Sequence, residues 1–120
     1  MVELIPVDMN LRRPATESWP DIDIEVDLHQ ALEAATYARF EALIAGWYVV
    51  ANCEGFGGGI HSMDGPPYVN VGTGKGSWWI DMGSTPDEAL RVLINAIKGF
   101  CSAYQIPRVS LTVPRSAYDG

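Results

Sequence analysis

The chain has 120 residues, 48% of them hydrophobic and 19% charged, with eight basic side chains against fifteen acidic ones and a formal net charge of −7. That size and mixture suit one compact domain over residues 1–120 with one core, and they exclude a disordered chain. The negative balance repels nucleic acid and anionic membrane surfaces, so it argues against direct binding of either and favours basic partners or cations.

Residues 2–8 read as a short strand, which Pro6 pushes to a sheet edge. Residues 1–20 as a whole form an extended N-terminal segment, with Arg12, Arg13, Pro14 and Pro20 in its connector. Residues 21–27 alternate acid and β-branched aliphatic without a break. As a strand they place Asp21, Asp23, Glu25 and Asp27 on one face and Ile22, Ile24 and Val26 on the other. Asp27 can cap a helix over residues 28–45 that Gly46 ends. At 100° per residue, Leu28, Ala31, Leu32, Ala35, Ala42 and Leu43 share the stripe expected to meet the core. Tyr37, Phe40 and Ile44 fall on nearly the opposite side.

Residues 47–53 read as a strand, and 54–67 as a glycine-rich loop. Residues 68–71 and 77–82 read as a hairpin around Gly72, Gly74 and Gly76. Thr85-Pro86-Asp87-Glu88 is a capping box with proline at the first helical position, opening a helix that continues to about Tyr104. Leu90, Leu93, Ala96, Ile97, Phe100 and Tyr104 face inward on it, and Arg91, Asn95, Lys98 and Ser102 face water. A last strand at 108–113 turns Val109, Leu111 and Val113 to one face, and residues 114–120 form a loose tail. The expected fold class is α+β: a mainly antiparallel sheet of four to six strands, with two helices packed on one face and the other face open.

Cys53 and Cys101 are expected to be buried free thiols, which with the absence of a basic, apolar leader fits the cytoplasm. No apolar run reaches the roughly 20 residues that span a bilayer.

Three features compete for a function. Carboxylates two residues apart on a strand stand about 6.5 to 7 Å apart, close to the spacing of phosphates along a nucleic-acid strand. The acid row is therefore a solvated edge, a mimic of the phosphate backbone, or a cation site. Trp79 shares its strand face with Asp81 and, across the hairpin, Tyr68 or Asn70, and such an aromatic is either covered or anchors an interface. Tyr37, Phe40 and Ile44 are too apolar to stay wet, so the N-terminal segment or a second copy of the chain covers them, the latter making a homodimer. Against these stands a ligand loop built from Gly57, Gly58, Gly59, His61 and Asp64, which lacks the Walker A and dinucleotide orders.

Gly46-Trp47-Tyr48-Val49-Val50 followed by Thr85-Pro86-Asp87-Glu88-Ala89-Leu90 is similar to the strand and helix pattern of HicB-type antitoxins. The spacing departs from that pattern by an entire hairpin, so no family is assigned on it. No catalytic constellation, cofactor motif or metal-ligand spacing is legible. The expected function is a small acidic, non-enzymatic protein-binding module: an inhibitor or antagonist of a basic or nucleic-acid-binding protein, of the immunity, antitoxin or phage anti-defence kind. The alternative is a small ligand-binding domain or enzyme using the loop at 55–65.

Overall fold

The computed structural model describes residues 3–9, as backbone, and residues 22–113. Five strands form one sheet in the order β1-β5-β2-β4-β3. They are β1 (Glu3–Met9), β2 (Ile22–Asp27), β3 (Ser62–Met63), β4 (Lys75–Asp81) and β5 (Arg108–Val113), with helices α1 (Ala34–Asn52) and α2 (Asp87–Ala103) between them. β2 pairs antiparallel with both β4 and β5, and β3 antiparallel with β4. β1 joins β5 in parallel, with an irregularity between Pro6 and Asp8 on this edge strand. The fold is α+β, as the pattern of elements implied.

Alternation in the strands builds the core. Ile22, Ile24 and Val26 of β2, Trp78 and Ile80 of β4, and Val109, Leu111 and Val113 of β5 are all buried. The register sets Ile22 opposite Ile80, Ile24 opposite Trp78 and Val26 opposite Leu111, so these side chains share one sheet face. Both helices lay their buried residues into the same cluster. α2 follows the expected periodicity: Leu90, Leu93, Ile97 and Phe100 are buried, and Arg91, Asn95, Lys98 and Ser102 are exposed. Ala96 is only half-buried and Tyr104 is 39% exposed, while Ala89, Ile94 and Cys101 complete the buried stripe. Pro86 stands at the N-cap rather than one residue inside the helix.

α1 departs from the expectation in both position and face. The Leu28 N–H donates to the Gly74 carbonyl and the Leu32 N–H to the Val71 carbonyl, at 2.9 and 2.8 Å. These bonds hold residues 28–32 in an irregular run along the 71–74 turn. His29 has φ 60°, outside the helical region, and Asp27 caps the His29 N–H rather than a helix end. The helix starts only at Ala34 and runs straight through Gly46, so residues 47–52 are helix and not strand. Its buried stripe is Phe40, Ile44, Trp47 and Ala51, spaced four, three and four residues apart. That is the stripe of a continuous helix, and it lies opposite to the one expected. A mid-helix glycine costs about 1 kcal/mol. Burying Trp47, whose Nε1–H donates to the Ala89 carbonyl at 2.8 Å, outweighs it. The strand half of the antitoxin-like pattern at 46–50 is thus not realised.

Both helices end in the same hydrogen-bonded motif, and neither uses glycine at its left-handed position. The Glu54 and Gly55 N–H groups donate to the Ala51 and Val50 carbonyls, and the Gln105 and Ile106 N–H groups to the Ser102 and Cys101 carbonyls. Glu54 and Gln105 take φ 62° and 60°. Residues 68–71 form no strand either. Tyr68 and Val69 are buried in an irregular segment that passes directly over Gly76, where a Cβ would collide with the Tyr68 carbonyl. β4 pairs instead with β2 and with the two-residue β3. Cys53 caps the end of α1 and is exposed, against expectation, whereas Cys101 is buried; both are free thiols. Among the described residues no helix is long and apolar enough to cross a membrane.

Candidate binding face

Every residue that the core alternation rejects lies on the opposite face of the sheet. In the β2–β4 register Asp23 stands opposite Trp79, Glu25 opposite Ser77 and Asp27 opposite Lys75. On the other side of β2, Glu25 stands opposite Thr112 and Asp27 opposite Ser110. Asp23 and Glu25 are exposed, and Asp27 and Trp79 half-buried. The acid row occupies the middle strand of five rather than an edge. Asp21 lies outside the described residues, as do residues 10–20 of the N-terminal connector and the tail at 114–120.

The row is not uniform. Asp27 Oδ2 lies 3.9 Å from Lys75 Nζ and 3.7 Å from His29 Nδ1, and Asp27 Oδ1 accepts the His29 backbone N–H at 2.8 Å. His29 Nε2 is 2.7 Å from Ser110 Oγ. A shallow groove of about 350 Å³ runs here, lined by Glu25, Asp27, Lys75, Ser77, Ser110 and Thr112 among others. At the other end Asp64 pins the strand that carries Trp79: its N–H donates to the Trp79 carbonyl at 3.0 Å, and its Oδ2 accepts the Trp79 N–H at 3.2 Å. The ion pairs among the described residues involve Asp27 and Asp81, not Asp23 or Glu25.

Other residues expected at a partner surface lie elsewhere. Phe40 and Ile44 are fully buried in the chain's own core, where Phe40 meets Phe100 edge-on at 5.2 Å between ring centres. They were expected to need the N-terminal segment or a second copy to cover them; α1 simply turns them inward. Tyr37 packs against the same core and is half-buried. Its hydroxyl donates to Glu41 Oε1 and accepts the Tyr68 N–H, both at 3.1 Å, and burial raises its pKa above the ordinary value. Tyr68 is on the core side, edge-on to Trp78 at 5.1 Å. Burial is also the main cause of its raised pKa. Only Trp79 of the aromatics singled out reaches the open face.

The glycine-rich loop is engaged with its own surroundings. The N–H groups of Gly55, Gly57 and Gly59 donate to the Val50 carbonyl, the Glu54 carbonyl and Ser84 Oγ. The Gly58 backbone is buried, and a Cβ there would strike the Ser84 carbonyl. An anion cradle needs such amides free. His61 Nδ1 lies 3.5 Å from Asp81 Oδ1, while the Asp64 carboxylate is held by Trp79. The loop residues therefore do not converge on a common point. No group of three potential metal ligands exists among the described residues.

Reading single strands did not bring His29, Lys75, Ser77, Ser110 and Thr112 together. The outward alternation of Ser110 and Thr112 was visible in the sequence, but their partner strand was not. Comparison of the chain with protein-family models, curated proteins and solved structures finds no match.

Proposed function

We infer that the protein is a small acidic binding module whose open sheet face engages a basic surface of a protein partner, as an inhibitor or antagonist would. The observation that supports this is the exposed pair Asp23 and Glu25 on the central strand, flanked by half-buried Trp79 and outside every ion pair among the described residues. Carboxylates at about 6.5 to 7 Å intervals imitate a phosphate row, so a nucleic-acid-binding protein is the natural partner class. Trp79 supplies the aromatic anchor that charge alone lacks. Cytoplasmic location and action against a basic partner belong to this same inference.

The experiment is capture from host extract on immobilised wild type and on the Asp23→Asn/Glu25→Gln double variant, at low and high salt. The variant keeps shape and removes two charges. A basic protein retained by the wild type, released by salt and lost on the variant is the expected result. Association should slow and lose much of its salt dependence in the variant. Identical capture on both proteins, or none on the wild type, rejects the inference.

A further inference from the structure

Asp27, His29 and Ser110 stand in a relation that an acid row does not require. The Ser110 hydroxyl oxygen lies 2.7 Å from one imidazole nitrogen of His29, and an Asp27 carboxylate oxygen lies 3.7 Å from the other. That is the order of a nucleophile, its general base and the acid that orients the base. Ser110 and His29 are 81 residues apart and meet only because β5 lies beside β2. Asp27 holds His29 and Ser110 meets its ring. Asp27 Oδ1 holds the His29 backbone N–H at 2.8 Å in a left-handed conformation, while Oδ2 faces the ring. Ser110 and Asp27 line the open groove, so a reacting carbon can approach the hydroxyl from solvent. Lys75 is the cation among the groove's lining residues, and Glu25 is the second carboxylate there.

We propose that Ser110, His29 and Asp27 form a nucleophilic site for small carboxylic esters that carry a positive charge. His29 Nε2 takes the Ser110 proton as Oγ bonds to the ester carbonyl carbon. The Lys75 ammonium offsets the charge on the tetrahedral oxygen. The bond from carbon to the leaving oxygen then breaks, and that oxygen takes the proton back from His29. Water, deprotonated by the same imidazole, attacks the acyl-serine, and collapse of that second adduct releases the acid and restores the Ser110 hydroxyl. Asp27 is a positioning residue, and Glu25 favours a cationic group on the substrate. A histidine that merely ties two strand ends together would show the same bond lengths but no reactivity at Ser110. The site goes beyond the binding role, and the two fail separately: Ser110→Ala leaves Asp23 and Glu25 untouched.

A fluorophosphonate probe tests the nucleophile directly, since attack by Oγ forms an oxygen–phosphorus bond and expels fluoride. Intact mass and peptide mapping of the full chain should find one adduct, on Ser110. Ser110→Ala should abolish it, and His29→Gln should slow it about 100-fold. Asp27→Asn should lower the limiting labelling rate while leaving the half-saturating probe concentration unchanged. With acid release followed in a pH-stat, acetylcholine should be hydrolysed faster than its neutral isostere 3,3-dimethylbutyl acetate, a preference that Glu25→Gln removes. No adduct on wild-type Ser110, or labelling unchanged in His29→Gln, overturns the proposal. Because the wild-type adduct is itself decisive, misfolding of a variant cannot rescue it.

Discussion

Replacing Phe40 by alanine separates a core residue from an interface residue. The ring is fully buried, and it sits edge-on to Phe100 with centres 5.2 Å apart and planes 68° apart. Phe→Ala at such a site costs about 3 to 5 kcal/mol, from lost transfer free energy and the cavity left behind. A domain of this size holds roughly 5 to 15 kcal/mol in all, so the variant should lose about a fifth of its stability or more. Unfolding entropy for 120 residues is about 0.25 kcal/mol/K near the midpoint, which turns that loss into a fall in Tm of about 12 to 20 °C. Thermal melts by circular dichroism across a hundredfold range of protein concentration are the assay. Because Phe40 meets the chain's own α2, the shift should not depend on concentration. A double-mutant cycle with Phe100→Leu and Phe40→Leu should return a coupling of about 0.5 to 1.5 kcal/mol from the ring pair. A loss under about 1 kcal/mol for Phe40→Ala would refute the core placement. So would a wild-type Tm that rises with concentration while the variant's does not, since that would put Phe40 between two copies.

Two further outcomes follow from local geometry. Burial pushes the Cys101 thiol up to about 11 from an ordinary 9.0, and Cys53 is exposed. A thiol reagent at pH 8 should therefore titrate one cysteine in the native protein and two in denaturant. The native chain keeps the Cys101 proton between pH 9 and 11 while the unfolded chain loses it, so this group's stabilisation is whole below pH 9 and declines as pH rises toward 11. Urea melts at pH 8 and 10.5 should show the decline, and Cys101→Ala should flatten part of it. Gln105 occupies the left-handed position after α2 with φ 60°. Gln105→Gly should raise stability by about 0.5 to 1 kcal/mol in urea melts, and a loss would mean that the conformation is not strained.

What could be read from the chain was what rests on period alone. β2, β5 and α2 carry their faces in uninterrupted alternation or in a clean helical stripe, and each was placed within a residue or two. α1 failed because Gly46 stood where a terminator is expected, and the β-branched run Val49-Val50 looked like strand. The competing signal, the Phe40–Ile44–Trp47–Ala51 spacing, crosses that glycine. The usual C-terminal marker was missing because Glu54 and Gln105, not glycine, take the left-handed turns. The candidate site was half legible for a related reason. The acid row is local, whereas the approach of Ser110 to His29 depends on which strand lies beside β2, and no local pattern encodes that.

The place of the acid row bears on its purpose. Charges on an edge strand discourage another strand from adding, but β2 is the middle strand of five, paired with β4 over Ile22–Asp27 and with β5 over Glu25–Asp27, where it needs no such guard. Burial of Ile22, Ile24 and Val26 requires only that the alternate residues be polar. The neighbouring strands show how a neutral solvated face is made: Ser77 on β4 and Ser110 and Thr112 on β5 do so without repulsion. Carboxylates about 6.5 to 7 Å apart lie within the roughly 8 Å screening length of physiological salt and still repel one another. At one end Lys75, 3.9 Å away, relieves this for Asp27. Asp23 and Glu25 keep the repulsion in the free protein, and a partner that places cations between them gains its relief on binding. The favoured contact thus lies between Trp79 and Ser77, at the end of the row that Lys75 does not reach.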